Sequence, residues 1–190
     1  MNWVEPIRDR AKIRLIEAHL RQRKSPRDYL LFTLGINVAL RISDLLNLRV
    51  CDVRDEAGRI RDELVVMEGK TSKRRAIPLA GAAKDALVFY FERCPDLSPD
   101  AWLFESTHRE APISYVQANR LIKSWCRLVG LRGNYASHSL RKTWAYWARR
   151  AGVPVSLIRQ ALGHSREDIT LRYLGITAEE VEDVYRKVNL

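Results

Sequence analysis

Apolar residues recur at helical spacing along most of this chain, and one stretch near its middle breaks into short runs of branched residues instead. Between Arg8 and Arg23, Ile13, Ile16 and Leu20 fall on one face with Arg, Lys and Glu opposite, which predicts an amphipathic helix. Ser25-Pro26-Arg27-Asp28 reads as the next helix start, with Ser25 as N-cap, Pro26 at the first helical position and Asp28 in the capping-box slot. Tyr29 to Ala39 is apolar nearly all round, the pattern of a central buried helix, and Gly35 within it costs some propensity while permitting close packing. Ser43 then reads as the cap of a short helix over Asp44 to Leu48, with Arg41 where the chain changes direction.

From Arg59 to Leu79 the pattern changes. Leu64 to Met67 and Arg75 to Leu79 are strand-like, and the polar segment between them, Glu68 to Arg74, is rich in cations: Lys70, Lys73 and Arg74, with Arg75 following. This predicts a small antiparallel sheet with a basic loop at one hairpin tip. Helical patterns then return over Ala80 to Arg93 and from Ser114 to Val129, separated by a proline-containing turn, a short apolar piece (Ala101 to Phe104) and a polar loop (Glu105 to Ala111). Ser137 is expected to cap a helix to Ala151, stopped by Gly152 and Pro154; a shorter helix follows to Leu162, stopped by Gly163. Ser165, with Asp168 three residues on, starts one more, carrying Tyr173. A final helix from Thr177 shows an apolar stripe of Val181, Val184, Tyr185 and Val188. The expected fold is mainly α with a small antiparallel β-sheet (α+β), a single domain over residues 1–190.

Charge narrows the partner. Lys and Arg total 33 against 23 Asp and Glu, a formal net charge of +10, which suits a polyanion, nucleic acid above all. The three cysteines, Cys51, Cys94 and Cys126, are odd in number and widely spaced, which argues against a disulfide framework or a zinc site and for a reduced, cytoplasmic protein. The longest apolar run, near Tyr29 to Leu34, is far too short to span a bilayer, so no membrane role is expected.

The candidate chemistry concentrates between Ser137 and Gly175. His138 and Arg141 share a face in the first turn of a helix, where exposed amides and the helix dipole favour an anion. His164 follows the helix-stopping Gly163, and Tyr173 stands on the next short helix. Each alone has an ordinary explanation: a surface pair, a turn residue, a half-buried packing tyrosine. Together with Arg41 and Lys70 they make a set suited to attack on a phosphodiester. Two arginines can clamp the non-bridging oxygens bidentately, a histidine can move a proton at neutral pH, a lysine can protonate the leaving sugar oxygen, and tyrosine oxygen can be the nucleophile. No acidic cluster suggests a metal and no Gly-x-x-x-x-Gly-Lys loop a nucleotide, so the expected reaction uses no cofactor.

These residues occur in order within Ala39-Leu-Arg41-Ile-Ser-Asp-Leu-Leu-Asn-Leu48, Gly69-Lys70-Thr-Ser-Lys-Arg-Arg, His138-Ser-Leu-Arg141, Leu162-Gly-His164-Ser and Tyr173. In this the chain resembles the catalytic domain of the tyrosine recombinases, or phage integrases, over roughly Ser25 to Gly175. The resemblance implies a site-specific DNA recombinase acting through a covalent 3′-phosphotyrosyl intermediate. Arg41 and Arg141 match the phosphate-binding arginines, Lys70 the general acid (with Lys73 as fallback), and His138 the general acid/base. His164 matches a position held by His or Trp that bonds the phosphate, and Tyr173 the nucleophile.

The resemblance further implies double-stranded DNA as partner, four protomers on two paired sites with a monomer when DNA is absent, DNA-bending accessory proteins, a nucleoid-associated location, and a last helix (176–190) docking on a neighbouring protomer. The apolar stripe of that helix reads equally well as packing on the chain's own core. Two features depart from the family pattern. Asp44 stands where Glu is usual, and the N-terminal DNA-clamping domain is missing, so the chain reads either as a minimal recombinase or as a fragment of a longer integrase, with weak, salt-dependent DNA affinity expected. Two alternatives stay open at this point: a DNA-binding regulator that keeps the fold without cleavage, and a type IB-like topoisomerase.

Overall fold

A computed structural model of the chain describes residues 3–23, 25–67, 74–107 and 109–175, and beyond them residues 182, 185, 186 and 188. The chain forms two compact units, residues 1–144 and 145–190. The first holds α1 (Arg10–Gln22), α2 (Pro26–Asn37), α3 (Ile42–Leu46), α4 (Val50–Val53), a hairpin of β1 (Glu63–Met67) and β2 (Arg74–Pro78), α5 (Ala82–Arg93), a second hairpin of β3 (Glu105–Ser106) and β4 (Arg109–Pro112), and α6 (Tyr115–Leu128). The division falls within α7 (Ser137–Arg150); α8 (Val155–Leu162) and α9 (Glu167–Leu174) lie in the second unit.

In the first unit α2 is the hub, as its all-round apolar pattern predicts. Every residue from Asp28 to Gly35 is buried. Phe32 meets Trp125 of α6 edge to face, with ring centroids 6.0 Å apart, and Tyr29 meets Phe89 of α5 at 4.9 Å. Pro26 occupies the first helical position, but Ser25 makes no side-chain cap; Asp28 instead pairs with Arg27 at 2.9 Å. A charge-assisted bond to a guanidinium is the stronger use of that carboxylate. α1 begins at Arg10 rather than Arg8 because the Asp9 carboxylate caps it, accepting from the amides of Ala11 (2.7 Å) and Lys12 (3.3 Å).

The β1–β2 hairpin is antiparallel, with Leu64 opposite Ile77 and Met67 opposite Arg74. Leu64, Val66 and Ile77 point into the core while Glu63, Val65 and Met67 face outward. Residues 68–73, which carry Lys70 and Lys73, lie outside the described residues. The stretch expected as a polar loop, Glu105 to Ala111, contains the second hairpin, so among the described residues there are two small sheets rather than one. Its pairing rests on backbone bonds anchored by buried Phe104 and Ile113, whose amide donates to the Phe104 carbonyl at 2.8 Å, and its polar side chains carry no strand pattern. α4 also went unpredicted; four residues are too few to show a helical period.

In the second unit, Ile158 and Leu162 of α8 and Thr170 of α9 are buried. Gly163 ends α8 in the left-handed conformation (φ 60°), as expected of a C-terminal glycine. α9 starts at Glu167 without a side-chain cap, and the expected cap at Ser165 is replaced by an Arg166–Asp168 pair at 2.9 Å. The predicted last helix, from Thr177, falls largely outside the described residues. No helix among them is long and apolar enough to cross a membrane.

Candidate active site

The start of α7 is built against the hub. Gly35 of α2 faces Leu140 of α7 so closely that a Cβ on Gly35 would collide with the leucine side chain. Leu140 is buried, and its neighbour Arg141 is buried with it at 4% exposure, unusual for an arginine and a sign that its charge is placed rather than solvated. His138, one turn earlier, keeps an exposed surface.

Arg41 reaches the same place from the end of α2. The link is Ala39, which adopts a left-handed backbone (φ 52°) that costs a non-glycine residue roughly 1 kcal/mol. This bend sets Arg41 at the N-terminus of α3, which therefore begins at Ile42 rather than Asp44, with Ser43 inside the helix and not its cap. Arg41 lies 3.9 Å from the carboxylate of Asp44, three residues on in α3. Partial burial of the His138 ring holds its pKa below the ordinary imidazole value, and the charges of Arg141, Lys142 and Arg41 lower it further. The neutral imidazole that results can accept a proton at neutral pH.

The first turn of α7 is fixed from α6. The Ser137 amide donates to Asn119 Oδ1 at 2.7 Å, and the Ser139 hydroxyl accepts from the Ala136 amide at 3.0 Å. Ser137 is thus the first helical residue, not its cap. The side chains of Asn119 and, less strongly, Ser137 lower the pKa of the Tyr115 phenol beside them.

The second unit carries the other two residues. His164 Nδ1 lies 3.0 Å from the Thr170 hydroxyl, which fixes the rotation of the ring. The imidazole stands edge-on to the half-buried Tyr173.

Of the six residues expected from sequence, the first unit brings Arg41, His138 and Arg141 together, and the second unit brings His164 and Tyr173 together. Lys70 lies outside the described residues. Three contributors escaped the sequence reading: Asn119, Thr170 and Lys142. Lys142 stands four residues from His138, a spacing that could have flagged it.

The chain matches the model of the phage integrase family over residues 9–180. It is 36% identical over 186 residues to "Probable integrase/recombinase YoeC" of Bacillus subtilis (strain 168), covering 98% of this chain and 97% of that one. A "Tyrosine recombinase" of Pseudothermotoga lettingae is 30% identical over 165 residues, covering 87% of this chain but only 55% of the relative, so the chain spans about half the length of that protein. The crystal structure of XerA recombinase superposes with a TM-score of 0.76 at 21% identity, covering 100% of this chain and 67% of that chain, and shows the same fold. With the family model covering most of the sequence and a relative aligned along nearly all of both chains, this chain belongs to the phage integrase family, among the tyrosine-type site-specific DNA recombinases.

Proposed function

We propose that this chain cuts and rejoins double-stranded DNA with Tyr173 as nucleophile. The Tyr173 oxygen attacks the scissile phosphorus, the bond from phosphorus to the 5′-oxygen breaks, and a 3′-phosphotyrosyl linkage forms. His138 accepts the phenol proton, and Lys70, or Lys73 in its place, gives one to the departing 5′-oxygen. Arg41 and Arg141 hold the non-bridging oxygens as charge builds on them, and His164 adds a bond to the phosphate. The 5′-hydroxyl of a partner strand then attacks the linkage, phosphorus–tyrosine oxygen cleavage returns the phenol, and the number of phosphodiester bonds is unchanged. No cofactor enters.

The observation that carries this reading is the convergence of Arg41 and Arg141, from distant parts of the chain, on His138. Two permanent cations around a neutral imidazole suit a phosphorane-like transition state and have no evident use in packing alone. The net charge of +10 supports a DNA partner. Four protomers on two duplexes, with residues 176–190 docking between neighbours, is the assembly that fits this chemistry, since each exchange needs two cut strands.

The test is a nicked duplex selected from a randomised pool by binding to the protein. Incubation is expected to give a covalent protein–DNA adduct on a denaturing gel, absent with Tyr173→Phe. A bound duplex that yields no adduct would sink the reading, and an adduct that survives in Tyr173→Phe would move the nucleophile elsewhere.

A further inference from the structure

Residues 3–8 form a strap that grips the start of α7 at two places. Upstream, the Glu5 amide donates to the Asn134 carbonyl (2.9 Å), and Asn134 answers through its side-chain amide to the Trp3 carbonyl (2.7 Å) and its backbone amide to Glu5 Oε1 (3.4 Å). Gly133 beside it, at φ 144°, lies so close to the Glu5 carboxylate that a Cβ would stand 2.6 Å from Oε1. Downstream, the Ile7 amide donates to the Thr143 hydroxyl (2.8 Å), which donates in turn to the Ser139 carbonyl (2.7 Å). Ile7 is wholly buried. The two grips, at Asn134 and at Lys142–Thr143, bracket His138 and Arg141.

Trp3 makes the third contact, and it falls on a charge. Lys142 Nζ stands 3.1 Å from the centroid of the indole ring. Lys142 is only 6% exposed, and the indole face covers its ammonium. Four residues from His138, it lies on the same side of α7, and its charge is one of those that act on the imidazole. The other charged groups facing this pair are Arg41 from the turn before α3, Arg141 on α7 and Arg8 on the strap, with Glu5 on the Asn134 side.

We infer that the strap is a positioning element of the recombination site, in which Trp3 acts through Lys142 to keep a third cation beside His138 while the flanking hydrogen bonds hold the helix turn between them. The inference rests on the recombinase reading. Trp3 touches neither phosphate nor nucleophile in this scheme. Its removal lets Lys142 swing into water, weakens the field on His138, and raises the affinity of the imidazole for its proton.

Two measurements on the full chain test this. The first follows the His138 imidazole by NMR against pH, without DNA. The second follows adduct formation under single-turnover conditions against pH, on the nicked duplex selected above. Trp3→Ala and Lys142→Met are each expected to move the His138 titration to higher pH. The acid limb of the adduct rate should move with it, and the neutral-pH rate should fall about fivefold (roughly 1 kcal/mol). Trp3→Phe, which keeps a ring face, should restore both, and duplex binding should stay within about twofold throughout. An unmoved titration in Trp3→Ala would overturn the inference. So would a slower rate with no shift of the limb, or a failure of Trp3→Phe to rescue, since a merely structural strap predicts those. Wild-type protein that forms no adduct at any pH would overturn the recombinase reading instead, a result the NMR titration keeps distinct.

Discussion

The imidazole of His164 stands edge-on to the phenol of Tyr173, with ring centroids 5.3 Å apart and planes at 78°. The Thr170 hydroxyl, one turn before Tyr173 on α9, holds the imidazole in that attitude through Nδ1 at 3.0 Å. Thr170 is fully buried, so water cannot take over its bond if the hydroxyl is lost.

Thr170→Val keeps the shape and removes the bond. It is expected to slow adduct formation about fivefold, the equivalent of a hydrogen bond worth roughly 1 kcal/mol. Thr170→Ser should be close to wild type. Single-turnover kinetics on the nicked duplex checks both, and a Thr170→Val protein as fast as wild type would show that the His164 attitude is set by packing alone.

Gly35 of α2 lies directly against Leu140 on the helix that carries Arg141. In Gly35→Ala the new methyl runs into Leu140 Cδ1 and stands 3.1 and 3.3 Å from its Cβ and Cγ, and Leu140 is buried. Overpacking of this kind costs roughly 1–3 kcal/mol, against a helix-propensity gain of about 1. A net loss of about 1 kcal/mol in urea unfolding is expected, and Leu140→Ala in the same chain should relieve part of the clash, giving a non-additive double variant.

The parts of the fold legible in the sequence were those decided locally. α2 announced itself because it is apolar on every side, and Gly163 because only a left-handed residue closes a helix that way. Helix starts were less legible: Ser25 and Ser165 had the right chemistry, yet nearby Arg–Asp pairs left those caps unmade, and Asp9 capped α1 instead. The candidate site divides along the same line. Its charged residues stand out because a set of arginine, histidine and tyrosine has few packing uses. Lys142 did not stand out, because what gives it meaning is Trp3, far away in sequence, laid over its ammonium. Asn119 and Thr170 were hidden for the same reason: each acts through a partner that only the fold supplies.

Arg41 should have two separable effects. Arg41→Gln removes a phosphate-holding cation, and the adduct rate is expected to fall roughly 100-fold or more, in line with loss of one transition-state donor. It also removes one of the charges that keep His138 deprotonated, so the residual activity should show its acid limb at higher pH than wild type. A pH–rate series on the variant separates the two: a lower plateau with an unmoved limb would leave Arg41 a phosphate ligand without influence on the base.

Lys142 costs the protein stability that its position beside His138 makes worth keeping. Burial lowers its pKa from the ordinary 10.5 to about 8, with the Arg8 charge adding to the effect. Between those two pH values the unfolded chain binds more protons than the folded one, so stability rises with pH across the interval and the full cost is felt below pH 8. The shift is net of every contact the ammonium makes and corresponds to a cost of at most about 3 kcal/mol. Lys142→Met should therefore raise the unfolding free energy at pH 7 by about 1–2 kcal/mol, with the advantage shrinking toward zero near pH 10.5. Urea unfolding at the two pH values checks this. A variant more stable at neutral pH yet slower in forming the adduct would mark Lys142 as a residue retained for the reaction at the expense of the fold.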